Sequence, residues 1–305
     1  MLGSLPQRFI AILGSAAIAT TAGLSAQTLP PEELSALQFR HIGVVGNRIA
    51  SVAGVVGNPL VYYAGAASGG LWKTEDGGIN WRAVFDDQDS HSVGALAVST
   101  SDPEIVWAGT GEPHIRSNVT VGDGVYKSTD GGERWEHMGL DATGRVSRIV
   151  IHPRNSDIVY VAALGHAHAP QQERGIYRTL DGGDTWEHVL FVDEDTGASS
   201  VIMDPNNPRV LFAGMWTVLV NTWGRESGGP GSGIFMSRDG GDTWTKLRGR
   251  GLPLLPVGKI DVCMSQADSR RIYALIETGD GVPWHGQETE DGELWRSDNG
   301  GYDWD

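Results

Sequence analysis

TEDGGINW at residues 74–81 is the first of five copies of one eight-residue stretch. The other four copies are STDGGERW at 128–135, TLDGGDTW at 179–186, SRDGGDTW at 237–244 and SDNGGYDW at 297–304. The copies start 51 to 60 residues apart, and strand-like segments flank each of them. A period near fifty with such flanks is typical of propeller blades rather than of a helical solenoid.

The residues of the repeated stretch suit a tight turn. A short acid accepts hydrogen bonds from nearby backbone N–H groups, the Ser or Thr two residues earlier adds a second acceptor, and two glycines permit positive φ. The closing tryptophan begins the next strand, where its ring can be buried. The ten positions predicted to be structural are Asp76, Trp81, Asp130, Trp135, Asp181, Trp186, Asp239, Trp244, Asn299 and Trp304.

The pattern S/T-x-D-x-G-x-x-W resembles the Asp box, or BNR repeat, of sialidases, sortilin-type receptors, endoxyloglucanases and photosystem assembly factors. The chain looks most like exported bacterial sortilin-type or BNR-repeat proteins, which are often labelled glycosyl hydrolases. The segments that carry this resemblance are LWKTEDGGINW, VYKSTDGGERW and DPNNPRVLFAG. The resemblance covers residues 37–305 and implies an all-β fold, a β-propeller of four-stranded antiparallel blades. The superfamily contains both hydrolases and binding proteins, so the resemblance leaves the function open.

Five blades are predicted, at about 45–87, 91–140, 145–192, 198–250 and 257–305. The fifth stops at Trp304-Asp305, before a fourth strand can form. Two interpretations remain open. The stray strand Phe39–Gly43 could complete that blade and close a five-bladed ring, or the chain could be the front part of a propeller of six or more blades. We favour the larger propeller.

The first residues read as a targeting segment. Arg8 precedes an apolar run from Phe9 to Ala19, and small residues at 24–26 suit cleavage after Ala26. Residues 1–26 are therefore predicted to be a signal peptide and 27–36 a lead-in, which makes the mature chain exported, periplasmic or extracellular. A short membrane anchor is the alternative. No second apolar segment of that length follows, so no transmembrane segment is expected after the signal.

The amino-acid composition limits the kinds of ligand that the protein is expected to bind. The formal net charge of −15 argues against nucleic acid and against an anionic membrane surface, which leaves neutral or cationic ligands. The single cysteine, Cys263, cannot form an internal disulfide, and its apolar neighbours predict a buried position. We predict no cofactor and no metal. His166-x-His168 with His114 could hold zinc, and the acidic segment 288–293 could hold calcium, but neither has a dedicated pattern.

The working surface is expected on the face that carries the loops between the second and third strand of each blade. These loops lengthen from 67–70 in the first blade to 110–123, 165–174, 216–232 and 278–292 in the others. Insertions confined to one face of a repeat protein usually build its binding site. The aromatic, acidic and basic residues there include Glu112, Arg174 and Trp216, and they suit a glycan or an extended peptide. The predicted ligand-binding residues are Arg116, His166, His168, Trp223, Arg225, Glu226, Trp284 and His285.

Hydrolysis is the alternative to binding alone. It needs two carboxylates roughly 5 to 10 Å apart, and Asp123, Glu226 and Asp291 are the candidates. The endoxyloglucanase resemblance places one catalytic aspartate at the position of Ala67 here, and the second acid in another propeller outside this stretch. The sialidase resemblance would make Arg40 a carboxylate binder. The sequence leaves enzymatic activity uncertain; any such activity is predicted to be that of a glycoside hydrolase.

Overall fold

The computed structural model describes residues 48–116, 119–254, 256–278 and 294–305. These residues belong to one compact unit, Ile42–Asp305. The predicted signal peptide, the lead-in and the strand Phe39–Gly43 lie outside the described residues. Within the described ranges no helix is long and apolar enough to cross a bilayer.

The described residues form five antiparallel sheets of consecutive strands, with one short 3-10 helix at Asp141–Thr143. The first sheet contains β1 to β4, at Ile49–Val55, Asn58–Ala66, Leu71–Thr74 and Arg82–Ala83. The second contains β5 to β8, at Val93–Val98, Val106–Thr110, Val125–Ser128 and Glu136–His137. The third contains β9 to β12, at Val146–Ile151, Val159–Ala163, Gly175–Thr179 and Glu187–Leu190. Each of these sheets is one blade of the predicted kind.

The fourth and fifth sheets depart from this plan. The fourth contains β13 to β17, at Thr196–Met203, Leu211–Asn221, Gly224–Ser227, Gly233–Ser237 and Thr245–Lys246. Its long β14 continues past the sheet and forms a hairpin with β15. The fifth contains β18 to β20, at Ile260–Met264, Ile272–Ile276 and Leu294–Ser297. Asp305 pairs with Arg296 of β20 through two backbone hydrogen bonds of 2.7 and 2.9 Å, where a fourth strand would run.

The first strand of each blade (β1, β5, β9, β13 and β18) is its inner strand, and consecutive inner strands contact each other in that order. The blades pack through apolar clusters that draw residues from two neighbours, such as Tyr63 and Phe85 of the first blade with Tyr126 of the second. The core is therefore divided into slices between blades. Each slice buries the β-branched and aromatic residues that the strand sequences supply.

The Asp boxes of the second to fifth blades also pack against the preceding blade. In four boxes the second glycine lies against the aromatic residue of the previous blade's second strand, and a side chain on that glycine would come within 3.2 Å of the ring. The four pairs are Tyr63 with Gly132, Trp107 with Gly183, Tyr160 with Gly241, and Phe212 with Gly301. The hydroxyls of Tyr63 and Tyr160 add hydrogen bonds of 2.7 and 2.6 Å to carbonyls of the same boxes. The second glycine thus serves packing between blades as well as the turn.

Cys263 is exposed, so the prediction of a buried thiol was wrong. It lies on β18, where successive side chains point to opposite sides of the sheet. Ile260 and Val262 face the core, whereas Asp261 and Cys263 face away from it. The apolar run around Cys263 identified a strand but not which of its two faces is buried.

Candidate functional site

The two ends of the blades differ in chemistry. In every blade the first glycine of the Asp box donates its N–H to a carbonyl in the turn between the first and second strands or at the start of the second strand, at 2.8 to 2.9 Å. The Asp boxes and these turns therefore share one end, the Asp-box face. The loops between the second and third strands lie at the other end, the loop face, because the strands are antiparallel.

A cavity of about 660 Å³ lies among the inner strands and is lined by residues of all five blades. Four of the inner strands carry a β-bulge in their first half, where one residue lacks a partner across the sheet. These unpaired residues are Ala50, Gly94, Ser147 and Ser199, and all four line the cavity. A bulge turns a side chain out of the regular alternation. Small residues at this level leave the space open.

The serine hydroxyls at this level join neighbouring blades. Ser147 Oγ donates to the carbonyl of Ala198 in the next blade at 2.6 Å, and Ser199 Oγ donates to that of Ile260 at 2.5 Å. Ser51 makes a longer bond of 3.3 Å to Val93. These hydroxyls hold the wall together, so the wall is a fixed surface.

The fifth blade changes the chemistry of the wall. Its inner strand pairs without a bulge and contributes Asp261 to the cavity. The carboxylate of Asp261 accepts a hydrogen bond from Ser200 at 2.6 Å and forms an ion pair with Arg148 of the third blade at 3.2 Å. The pair spans from the third blade to the fifth across the space between the inner strands.

A second charged group surrounds Glu277, at the end of β19. Its carboxylate accepts hydrogen bonds from Ser227 Oγ at 2.6 Å and from the backbone N–H of Lys259 at 2.8 Å. Arg225 of the β14–β15 hairpin forms an ion pair with it at 3.1 Å. Ser227 in turn accepts a hydrogen bond from the buried indole of Trp216 at 2.9 Å. The hairpin is thereby fixed to the fifth blade.

Lys259 lies beside this group without an ion pair to any described carboxylate. Its Nζ is 5.6 Å from the centre of the Trp216 ring, within the range of a cation–π interaction. Burial lowers the pKa of Lys259, and the positive charges of Arg225 and Arg148 act in the same direction. Asp261 and Glu277 oppose this effect, but each is already paired with an arginine.

The neighbouring rim is also rich in cations. The buried carboxylate of Glu112 forms ion pairs with Arg48 and with Arg116, the latter at 3.2 Å. Two residues on, His114 lines the cavity and its Nε2 contacts the carbonyl of Ala50 at 3.3 Å. Burial, followed by the charge of Lys259, lowers the pKa of His114. One carboxylate thus faces two arginines at this rim.

Several residues on the predicted loops have structural roles. Arg174 is fully buried and donates to four backbone carbonyls, those of Asp195, Val218, His166 and Ala169. Glu112 and Trp216 are also buried. These three residues belong to the framework beneath the loop face. Their predicted place on the recognition surface is therefore corrected. A sequence cannot show that a loop arginine is turned inward to satisfy carbonyls.

The predicted ligand-binding residues lie in different settings. Arg225 lines the cavity, and Trp223, two residues earlier, is 87% exposed at the turn of the hairpin. Glu226 is exposed and accepts a long hydrogen bond of 3.4 Å from Asn221. His166 packs against Gly144, and His168 contacts the carbonyl of Val220 at 3.1 Å. Neither His166 nor His168 lines the cavity.

The candidate acids are not brought together. Asp123 accepts hydrogen bonds from Thr110 at 3.1 Å and from Tyr126 at 2.8 Å, which anchors the start of β7. Trp284, His285 and Asp291 lie outside the described residues. Within the described ranges no three His, Cys, Asp or Glu side chains are grouped so that they could hold a metal ion.

The sequence reasoning missed Lys259, Asp261, Glu277 and Arg148. One signal was present in the inner strands themselves. The segment KIDV places a lysine and an aspartate where the first blade has Ile49 and Ser51. Charged residues in a strand that packs at the centre of a propeller require a local reason, since charges are seldom buried unless they are paired.

Comparison with known proteins agrees with this architecture. The crystal structure of an ancestral GH74 enzyme superposes with a TM-score of 0.61 at 18% identity, over 86% of this chain and 33% of that one. The GH74 enzyme of Niastella koreensis gives 0.56 at 19% identity, over 83% and 37%. The chain folds as a β-propeller, and each of its described blades carries an Asp box. The predicted all-β propeller fold and the resemblance to the Asp-box superfamily are both confirmed.

Sequence comparison gives distant relatives of more than one kind. The family model described as sortilin, neurotensin receptor 3, matches residues 123–252 of the propeller. A xyloglucanase of Hypocrea jecorina is 24% identical over 83% of this chain and 32% of its own length. The photosystem II assembly lipoprotein Ycf48 of a Synechococcus strain is 26% identical over 57% of this chain and 55% of its own length. The chain therefore spans about a third of the length of the Hypocrea jecorina xyloglucanase.

Proposed function

We propose that this propeller binds a polymeric ligand, a glycan or an extended peptide, in the cavity on its loop face. The observation that carries the proposal is the cavity itself. Its volume of about 660 Å³ is in the range of ligand sites, and its wall combines small residues with a few charged groups fixed by hydrogen bonds. Trp223, exposed on the adjoining hairpin, adds a flat apolar surface.

The relatives support either kind of polymer. The matches to xyloglucanases point to a glycan, and the match to the family model described as sortilin, neurotensin receptor 3, is compatible with a peptide. Binding without hydrolysis is favoured because Asp261 and Glu277 are each engaged by an arginine and by a further hydrogen-bond donor. A carboxylate that is paired with an arginine is disfavoured as the protonated acid that hydrolysis requires.

The test fills the cavity from a position that tolerates a larger side chain. Leu275 is 54% exposed and lines the cavity, whereas Leu294, its partner across the sheet, is 63% exposed and does not line it. We expect Leu275→Trp to weaken binding to the best ligand of a glycan and peptide panel at least tenfold. Leu294→Trp, the matched control, should bind as the parent does. Equal affinity for all three proteins, or a parent that binds no member of the panel, would refute the proposal.

A glycoside hydrolase remains the second candidate because of the xyloglucanase relatives. It would use paired carboxylates on the same face, from Asp123, Glu226 and Asp291. The parent and the variants Asp123→Asn and Glu226→Gln are incubated with xyloglucan, β-glucan and sialosides, and reducing ends are measured. Turnover by the parent that one substitution abolishes would replace the binding function with hydrolysis, since losing an essential acid costs orders of magnitude in rate.

Export is part of the same proposal. The apolar run Phe9–Ala19 and the small residues before Gln27 support removal of a signal peptide after Ala26. Mass spectrometry of the protein recovered outside the cytoplasm should find Gln27 as its first residue. Recovery of the uncut chain in the membrane fraction would favour the anchor.

A further inference from the structure

The charge of the cavity is opposite to that of the protein as a whole. The chain carries a formal net charge of −15. The cavity wall, however, contains three lysine or arginine side chains, Arg148, Arg225 and Lys259, besides the imidazole of His114, against two acids, Asp261 and Glu277. Each acid is paired with one arginine, so the charge of Lys259 is left over among the described residues.

The position of Lys259 is fixed by its surroundings. Its backbone N–H is held by Glu277, and its ammonium lies over the Trp216 ring, which Ser227 orients through the indole N–H. A half-buried cation without a counterion is costly, because it loses hydration and gains no ion pair in return. A bound anion would remove that cost. An ammonium on a cavity wall that has no ion pair among the described residues is therefore suited to an anionic group of a ligand.

The wall around Lys259 favours a sugar as the bearer of that group. Asp261 and Glu277 have acceptor capacity left beyond their arginines, and sugar hydroxyls are donors that can use it. Trp223 offers an indole face beside Arg225 on which a pyranose ring can stack. A uronic acid unit combines these features, since it has several hydroxyls, an apolar ring face and one carboxylate.

We propose that the cavity binds an acidic glycan and that Lys259 forms an ion pair with the carboxylate of one of its uronic acid units. This proposal rests on the proposed binding function and specifies its ligand class. It also revises the expectation, drawn from net charge alone, that neutral or cationic ligands would be preferred. The local charge at the site governs the ion pair, because charges farther away are screened by salt over about 8 to 10 Å.

The experiment compares a galacturonate oligomer with the same oligomer after its carboxyl groups have been reduced to alcohols. Calorimetric titration is carried out on the parent, on Lys259→Met and on the control Lys246→Met. The Lys246→Met substitution removes the same charge as Lys259→Met. Like Lys259, Lys246 lies over an aromatic ring, that of Phe235 at 5.8 Å, but it does not line this cavity. A carboxylate-terminated peptide and neutral xyloglucan oligomers complete the panel.

We expect the parent and Lys246→Met to bind the uronate oligomer at least tenfold more tightly than its reduced form. Lys259→Met should bind the two forms equally. Its thermal midpoint should not fall, because the substitution removes an uncompensated charge, and this measurement shows that the variant is folded.

The other outcomes separate the two proposals. If the parent binds neutral glycans as well as uronates and Lys259→Met behaves like the parent, the carboxylate site is refuted while the binding function stands. If only the peptide binds and Lys259→Met abolishes it, the glycan class is refuted in favour of a peptide carboxylate. If the parent binds nothing in the panel, the binding function itself fails.

Discussion

Gly183→Ala tests whether the second glycine of an Asp box is required by the neighbouring blade or only by its own turn. A Cβ at Gly183 would lie 2.7 Å from Cη2 of Trp107 and 2.8 Å from Cε of Met138. The backbone there has a φ of +106°, which costs an L residue about 1–2 kcal/mol. Overpacking a rigid core typically adds about 1–3 kcal/mol. The variant should therefore lose about 2–5 kcal/mol of unfolding free energy.

The first box supplies a matched control. Gly78 has a similar φ of +93°, but a Cβ there would meet only Trp81 of its own box, at 3.7 Å or more. Gly78→Ala should thus carry only the backbone cost of about 1–2 kcal/mol. Urea denaturation followed by tryptophan fluorescence gives both free energies, provided that the slopes match that of the parent.

A double-mutant cycle identifies the contact responsible. Phenylalanine lacks the second ring of tryptophan, so Trp107→Phe removes the Cη2 atom that the new methyl group would strike. In the Trp107→Phe background, Gly183→Ala should cost at least about 1 kcal/mol less than in the parent, within the coupling range for residues in contact. Equal losses for Gly78→Ala and Gly183→Ala, with no coupling to Trp107, would refute the inter-blade role of the glycine.

Three further predictions concern individual side chains. Asp181→Asn should lower the thermal midpoint more than Asp184→Asn in the same box, because Asp181 accepts hydrogen bonds from the hydroxyls of Thr185 and Thr179. Those bonds lower the pKa of Asp181 to about 2, so the difference between parent and variant is full above its ordinary pKa of 3.8 and should vanish as the pH falls toward 2. Trp223→Ala should weaken ligand binding severalfold in titrations without changing the thermal midpoint, whereas Ile79→Ala, 72% exposed on the Asp-box face, should change neither. Burial lowers the pKa of Lys246 to about 8, so the unfolded chain binds more protons than the folded one between pH 8 and 10.5. The urea midpoint of the parent should therefore rise across that window relative to Lys246→Met, and parallel curves would contradict the assignment.

The Asp boxes were predictable because their interactions are local. In the third box the hydroxyl of Thr179 accepts the N–H of Gly183 at 2.9 Å, and the carboxylate of Asp181 accepts the N–H of Thr185 at 2.9 Å. Partners no more than four residues apart leave a spacing that a sequence displays directly. The blade count and the strand order follow from the same repetition.

The cavity was not predictable because its members come from different blades. Arg148 meets Asp261 across 113 residues of chain, and Arg225 meets Glu277 across 52. Nothing in a single blade indicates which residue of another blade lies opposite. The loops drew attention because their lengths vary, yet the group that most distinguishes the cavity is Lys259, which directly precedes the inner strand of the fifth blade.

The two faces of the propeller have different roles: one joins the blades and the other forms the cavity. This separation explains how a propeller of this type can change its ligand. The glycine and aromatic pairs that join the blades lie toward the Asp-box face, whereas the unpaired bulge residues lie toward the loop face. A change of residue on an inner strand, such as Ser51 in the first blade against Asp261 in the fifth, leaves the contacts at the other end intact. The cavity can therefore acquire charge at little cost to the ring. The wall residues, rather than the repeated geometry of the boxes, must then carry ligand specificity.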